Sequence, residues 1–278
     1  MTPRAVFLGT PEFAVPSLDA VVRLSDAGVL RLVGVVTQPD RPGHRGRIQV
    51  PPVKGRAVEL GGVALLQPPR LEGPALAAVL ALEPHLLVWA AYGNLVPRAL
   101  LEAVGGRAVN VHASLLPRHR GAAPIAWAIL EGDRETGVTL MEGTAALDAG
   151  PILARERLGI RDGESTGELE ARLAVASARL LERELPRYLA GELSPRPQEE
   201  HAVTWAPKLR PAGGELDLAR PAEELARVVR AFTPQPGAFS MFRGTRLGVL
   251  RASVAGGSPA AHGPLAIREG VPHVAAGA

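Results

Sequence analysis

Asn110 and His112 stand two positions apart in Ala108-Val109-Asn110-Val111-His112. A strand there puts both on one face and Val109 and Val111 on the other. At the carboxyl end of such a strand, an amide donor beside an imidazole suits a carbonyl under nucleophilic attack. The amide can hold the developing oxyanion, and the imidazole can donate a hydrogen bond or move a proton near neutral pH. Asp148, in Leu147-Asp148-Ala149-Gly150, supplies a carboxylate that would orient the ring if the two faced each other. Each feature also has a plainer reading: polar residues at a strand end that bond a loop, and an aspartate that caps a turn beside glycine. The rarity of asparagine, present only as Asn94 and Asn110, favours the chemical reading for Asn110.

Between these residues runs Ser114-Leu115-Leu116-Pro117-Arg118-His119-Arg120-Gly121-Ala122-Ala123-Pro124, whose Pro and Gly fix its path. It reads as a cradle for a planar or anionic ligand, or as a solvated basic turn. Other chemistries find less support. His112, Ser114 and Asp148 are the residue types of a hydrolase triad, but there is no Gly-x-Ser-x-Gly elbow. The chain has no Cys, and its seven His show no His-Glu-x-x-His or clustered spacing, so no metal is expected. The first apolar run ends in Gly9-Thr10-Pro11-Glu12-Phe13, which is neither a dinucleotide fingerprint nor a Walker loop.

Positive charge is concentrated in two places. From Arg41 to Arg56 the chain holds Arg41, Arg45, Arg47, Lys54 and Arg56 with no acid. From Trp205 to Arg251, Lys208 and seven Arg stand against four acids. Net charge is only +3 over 278 residues, so the total hides this clustering. Two separated basic surfaces fit a polyanion better than a small substrate. With ten aromatic residues in all, phosphate contact and shape should dominate over base stacking.

The elements that must position these residues read as alternating strands and helices. Strands are expected at Ala5–Gly9, Leu30–Thr37, Val63–Gln67, Leu86–Ala91 and Ala108–His112, with helices at Pro16–Asp26, Pro52–Leu60, Gly73–Leu82 and Pro97–Val104. Fully apolar strands in this alternation predict a mostly parallel sheet covered on both faces, with sites at the carboxyl ends of strands. Two more strands, Thr136–Glu142 and Ile152–Ile160, precede a helix over Thr166–Leu189 with a helical leucine period. The Pro-rich, charged stretch after Leu189 reads as a linker. An amphipathic helix at Ala222–Phe232 and short strands at Ala238–Arg243, Arg246–Val254 and Pro264–Ile267 then suggest a small β-rich domain. No apolar run reaches the roughly 20 residues that span a bilayer, and the amino terminus lacks a signal-peptide pattern, so a cytoplasmic protein is expected.

The sequence resembles the methionyl-tRNA formyltransferase family. The likeness is carried in order by Phe7-Leu8-Gly9-Thr10-Pro11-Glu12-Phe13-Ala14-Val15-Pro16, Gln38-Pro39-Asp40-Arg41-Pro42, Ala91-Tyr92-Gly93, Asn110-x-His112, Ser114–Pro124 and Leu147-Asp148-x-Gly150. It implies transfer of formyl from 10-formyltetrahydrofolate to the α-amine of methionyl initiator tRNA, without a metal. It also implies an α/β fold: a Rossmann-like catalytic domain over residues 1–189, a linker over 190–208, and a small OB-like β-barrel over 209–278 that binds tRNA. Asn110, His112 and Asp148 would be the catalytic trio, and Ser114, Leu115, Leu116 and Pro117, with Tyr92 and Gly93, would line the folate pocket. Arg41, Arg45 and Arg47 match the family's loop that enters the acceptor stem, and a monomer is expected.

Two departures qualify the likeness. Pro42-Gly43-His44-Arg45-Gly46-Arg47 replaces the family's more usual Gly-Arg-Gly followed by lysines, implying rearranged contacts. The tail lacks the family's later Leu-Gln and Gly-Lys pairs, so a barrel shortened at its end is expected. Competing expectations are another folate-dependent formyl enzyme, such as a 10-formyltetrahydrofolate hydrolase or a sugar-nucleotide formyltransferase, and a noncatalytic RNA-binding protein on the same scaffold.

Overall fold

A computed structural model describes residues 2–43, 47–255, 265–268 and 271–276. In chain order the elements of the first part are β1 (Arg4–Gly9), α1 (Val15–Asp26), β2 (Arg31–Val36), β3 (Arg41–Pro42), β4 (Ile48–Gln49), α2 (Pro52–Leu60), β5 (Ala64–Leu66) and α3 (Gly73–Leu80). Then come β6 (Leu86–Ala90), α4 (Arg98–Ala103), β7 (Ala108–His112), α5 (Pro124–Leu130), β8 (Glu135–Glu142), β9 (Ile152–Gly159) and α6 (Thr166–Leu189). The later part holds α7 (Ala222–Phe232), β10 (Ala238–Phe242), β11 (Thr245–Val249), β12 (Leu265–Arg268) and β13 (Val271–Val274).

Seven strands form one sheet in the order β5-β2-β1-β6-β7-β8-β9. β1, β2, β5, β6 and β7 pair in parallel, whereas β8 and β9 join antiparallel. The direction of strand addition reverses between β1 and β6, the switch point where open α/β sheets leave a crevice. There the Thr10 hydroxyl donates to the Tyr92 carbonyl at 2.9 Å.

Strand alternation assigns the two faces. Ala5 and Phe7 of β1 belong to the core under α1 and α6, whereas Val6 and Leu8 belong to the core under α3 and α4. α6 presents Leu169, Leu173, Ala176 and Leu180 at helical spacing, and all are buried in the first core. Burying each such leucine contributes about 1.5–3 kcal/mol. A reciprocal capping box starts this helix: Ser165 accepts from the Glu168 N–H, and the Glu168 carboxylate accepts from the Ser165 N–H.

The expected strands and helices are present within a residue or two at their ends, except that the strand expected over Arg246–Val254 already stops at Val249. Three features were not anticipated. Pro124, read as the end of a rigid loop, opens α5, where proline suits the first helical turn because no N–H is needed there. The basic stretch after β2 is a ribbon: β3 pairs antiparallel with β4, Arg41 opposite Gln49. In the tail, β10 and β11 form one hairpin and β12 and β13 another; among the described residues these are separate two-stranded sheets. The tail does not stand apart from the first core, since Val228, Val229, Ala231 and Phe232 of α7 and Ala238 belong to it.

Candidate functional site

Val109 and Val111 of β7 enter the core under α1 and α6. Strand alternation therefore sends Asn110 and His112 to the other face, where both remain buried, each 7% exposed. Asp148 reaches them from the loop between β8 and β9. Its Oδ1 lies 3.5 Å from Asn110 Nδ2 and 3.5 Å from His112 Nδ1. Both contacts sit at the long limit of hydrogen bonding, so the amide and the imidazole retain capacity for a third atom.

The remaining polar atoms of His112 and Asp148 are fixed. His112 Nε2 lies 2.9 Å from the His119 carbonyl, which can only accept, so this nitrogen carries hydrogen and Nδ1 is the nitrogen turned to Asp148. Asp148 Oδ2 accepts from the Gly121 N–H at 2.9 Å. The backbone of Asp148 is left-handed, with φ of 50°. Gly150 completes the turn where a Cβ would collide with the Glu142 carbonyl oxygen. The glycine of Leu-Asp-x-Gly is thus required by close backbone approach.

The Ser114–Pro124 loop is organised by its own polar groups. The Ser114 hydroxyl donates to the Arg118 carbonyl at 2.7 Å, and Thr139 Oγ1 donates to the Ser114 carbonyl while accepting from the Leu116 N–H. Leu116 packs with Met141 and Ile152, and the Leu116-Pro117 peptide bond is cis. His119, 3% exposed, and Arg118 both engage the Asp133 carboxylate at 2.7 Å. Leu115 lines a cavity with Arg118, His119 and Thr136, away from Asn110.

Beside Asn110 and Asp148 lies a second cavity, walled by Trp89, Leu95, Val96, Met141 and Leu147, with Asn94 and Thr144 at its rim. Apolar walls with a few polar groups suit a flat heteroaromatic ligand. Both asparagines of the chain line this cavity, so the compositional signal that singled out Asn110 pointed equally to Asn94. Tyr92 and Gly93 are placed differently. The Tyr92 ring is buried with Leu71, Val79 and Leu100 under α3 and α4, where burial pushes its hydroxyl pKa up, and Gly93 makes the turn with φ of 85°.

The connecting stretch after α6, expected to be a linker, lies across the site loops. The Thr204 carbonyl accepts from the Arg120 N–H at 2.9 Å, the Ala206 N–H donates to the Arg120 carbonyl at 2.7 Å, and Thr204 Oγ1 accepts from the His119 N–H. Gly121, with φ of 124°, lies so close that a Cβ there would stand 2.7 Å from the Ala206 carbonyl oxygen. The Arg120 guanidinium, 4% exposed, is held by Gln198 and Glu200. No periodic or motif signal marks these partners in the sequence.

Of the three basic-loop candidates, Arg41 and Arg47 are exposed on the ribbon and form no salt bridge with a described residue; Arg45 lies outside the described residues. Lys54 pairs with Asp40 at 2.6 Å and Arg56 with Asp19 at 2.7 Å, so two of the five cations are already partnered. Hydrogen bonds from Lys54 and then Gln67 hold the Asp40 carboxyl below its ordinary range. In the later part, Arg227 donates to the Leu130 carbonyl and Arg230 to the Glu164 carbonyl, both facing the first part of the chain. Lys208, Arg210, Arg243, Arg246 and Arg251 remain exposed.

The parallel sheet with its antiparallel edge thus carries an amide and an imidazole at the carboxyl end of one strand, with a carboxylate reaching them from a later loop, an arrangement whose chemistry suits acyl transfer. Residues 3–185 match the formyl transferase family model, and residues 208–276 match the model of the formyl transferase C-terminal domain. The chain is 48% identical over 260 residues to methionyl-tRNA formyltransferase of Myxococcus xanthus, covering 93% of this chain and 81% of that protein. It is 49% identical over 259 residues to methionyl-tRNA formyltransferase of Halorhodospira halophila, covering 93% and 82%. This chain therefore belongs to the methionyl-tRNA formyltransferase family. The fold is shared with an N-formyltransferase of Helicobacter canadensis solved with folinic acid and dTDP-3-aminofucose, at a TM-score of 0.73 and 14% identity over 99% of this chain and 96% of that one. No helix of the described residues is long and apolar enough to cross a membrane.

Proposed function

We propose that this chain transfers the formyl group of 10-formyltetrahydrofolate to the α-amine of methionyl initiator tRNA, in the cytoplasm and as a monomer. The observation that carries the reading is the meeting of Asn110, His112 and Asp148 beside an apolar cavity, in a chain nearly half identical to methionyl-tRNA formyltransferases. Residues 1–189 bind folate and carry the chemistry, 190–208 connect, and 209–278 contribute to tRNA binding.

The cavity beside Asn110 takes the pteridine, with Trp89, Leu95, Val96 and Met141 against its faces and Asn94 supplying a polar contact. Leu116 and Pro117 shape its approach, and Ser114 and Leu115 act by holding the loop rather than by touching the ring system. The amine attacks the formyl carbon, and the oxyanion that forms is stabilised by Asn110 Nδ2–H, joined by the positive charge of the His112 ring once Nδ1 has taken the amine's proton. Because the Nε2 hydrogen is committed to the His119 carbonyl, the proton shed by the amine passes to Nδ1, where Asp148 Oδ1 steadies the imidazolium. The same proton then moves to the departing N10 nitrogen, which balances the exchange. Arg41, Arg45 and Arg47 contact acceptor-stem phosphates.

The direct test is formyl transfer from 10-formyltetrahydrofolate to methionyl initiator tRNA. Accumulation of formyl-methionyl-tRNA that disappears with His112→Ala is expected. Steady formate release without tRNA, or equal behaviour of the wild-type and His112→Ala proteins, would refute the reading.

A further inference from the structure

The stretch that follows α6 does more than join two parts of the chain, because one of its side chains holds the backbone that carries Asp148. Gln198 Nε2 donates to the Asp148 carbonyl at 2.9 Å and to the Gly150 carbonyl at 2.8 Å. Its Oε1 accepts from Arg120 Nε at 3.0 Å and from an Arg120 terminal nitrogen at 2.9 Å. A single amide thus uses all its hydrogen-bonding groups on two loops that meet at the site.

The Asp148 backbone needs such a restraint. Aspartate tolerates a left-handed conformation better than most residues with a Cβ, but it remains the less favoured region and is kept in one place only where the surroundings hold it. Relaxing φ from 50° would swing the Asp148 carbonyl off Gln198 and turn the carboxylate away from Asn110 and His112. The carboxylate itself is held by the Gly121 N–H, whose neighbour Arg120 bonds Thr204 and Ala206 through its backbone. Both restraints on Asp148, at its backbone and at Oδ2, therefore trace back to residues 198–206.

We propose that Gln198 is a positioning residue for Asp148: it fixes the left-handed turn that aims the carboxylate at His112 and couples that turn to Arg120. The inference rests on the reading that Asp148 acts with His112. Gln198→Glu keeps an oxygen acceptor for Arg120 and gives up both N–H donors, so it loosens the Asp148 turn while preserving the other contact. Gln198→Leu removes both. His201→Ala, at an exposed side chain on the same stretch, serves as the control.

The experiment measures kcat and the KM for each substrate, with single-turnover rates in wild-type and Asp148→Asn backgrounds. A misplacement of the order of an ångström costs up to about 100-fold in rate. Gln198→Glu should lower kcat about 10- to 100-fold with both KM values within about twofold of wild type, and should add no further loss to Asp148→Asn. A wild-type kcat, a loss confined to KM, or an equal factor lost in both backgrounds would overturn the proposal. A wild-type rate for Asp148→Asn would instead overturn the catalytic reading beneath it, so the two failures are distinguishable.

Discussion

The end of β7 and the β3–β4 ribbon both follow carboxyl ends of the parallel sheet, yet they treat their polar side chains in opposite ways. The side chains of Asn110, His112 and Asp148 are nearly enclosed, and the latter two are each held by a backbone group. Arg41 on β3 and Arg47 just before β4 are exposed on a ribbon of two short strands. The difference follows from what each region must do. A charge that develops on one atom is stabilised by dipoles fixed beforehand, in a site from which water is largely excluded. A phosphate backbone is gathered by cations that release counterions when they bind, which demands exposure rather than enclosure.

Breaking the enclosed region should cost most. His112→Ala is expected to lower kcat about 10³-fold or more and Asn110→Ala about 10²- to 10³-fold, with folate KM little changed, measured by formyl transfer at saturating tRNA. Next come changes that touch no substrate. Gly121→Ala places a methyl against the Ala206 carbonyl at a φ unsuited to alanine, and Gly150→Ala drives a methyl into the Glu142 carbonyl oxygen. Each should lower kcat about 100-fold and lower stability by about 1–3 kcal/mol, read from urea unfolding.

The exposed region should respond through binding instead. Arg41→Ala and Arg47→Ala are each expected to raise the KM for tRNA several-fold and to flatten the salt dependence of kcat/KM by about one unit of slope, leaving kcat at saturation intact. A fall in kcat with KM unchanged would break the contrast between the two regions. The smallest effect sharpens it: Lys54, already paired with Asp40, should change tRNA KM less than about twofold when replaced by alanine. Folate affinity measured by calorimetry should be the same for all three variants.

Much of the scaffold was legible because its signals are local. The fully apolar run of β1, the period-two valines of β7 and the leucine stripe of α6 each depend on residues a few positions apart, and the structure keeps all three. Charge counting was less faithful. The run Arg41–Arg56 reads as five cations without an acid, but Asp19 and Asp40, outside that run, partner two of them. Tyr92 shows the same limit in packing, since its ring is buried under α3 and α4 by contacts that no local window contains.

The stretch after Leu189 marks where sequence reading ends. Proline, charge and lack of period gave it no regular element beyond a single helical turn at Glu200–Ala202, but those same features made it look like a tether. Gln198, Thr204 and Ala206 work through bonds to Asp148, His119 and Arg120, which no window of neighbouring residues contains. By itself the sequence determined the faces of the strands, the chemistry available at Asn110 and His112, and the family. Only the tertiary structure decided that Asp148 meets them, that Asn94 shares their cavity, and which cations stay exposed, because each is a contact made by packing distant segments together.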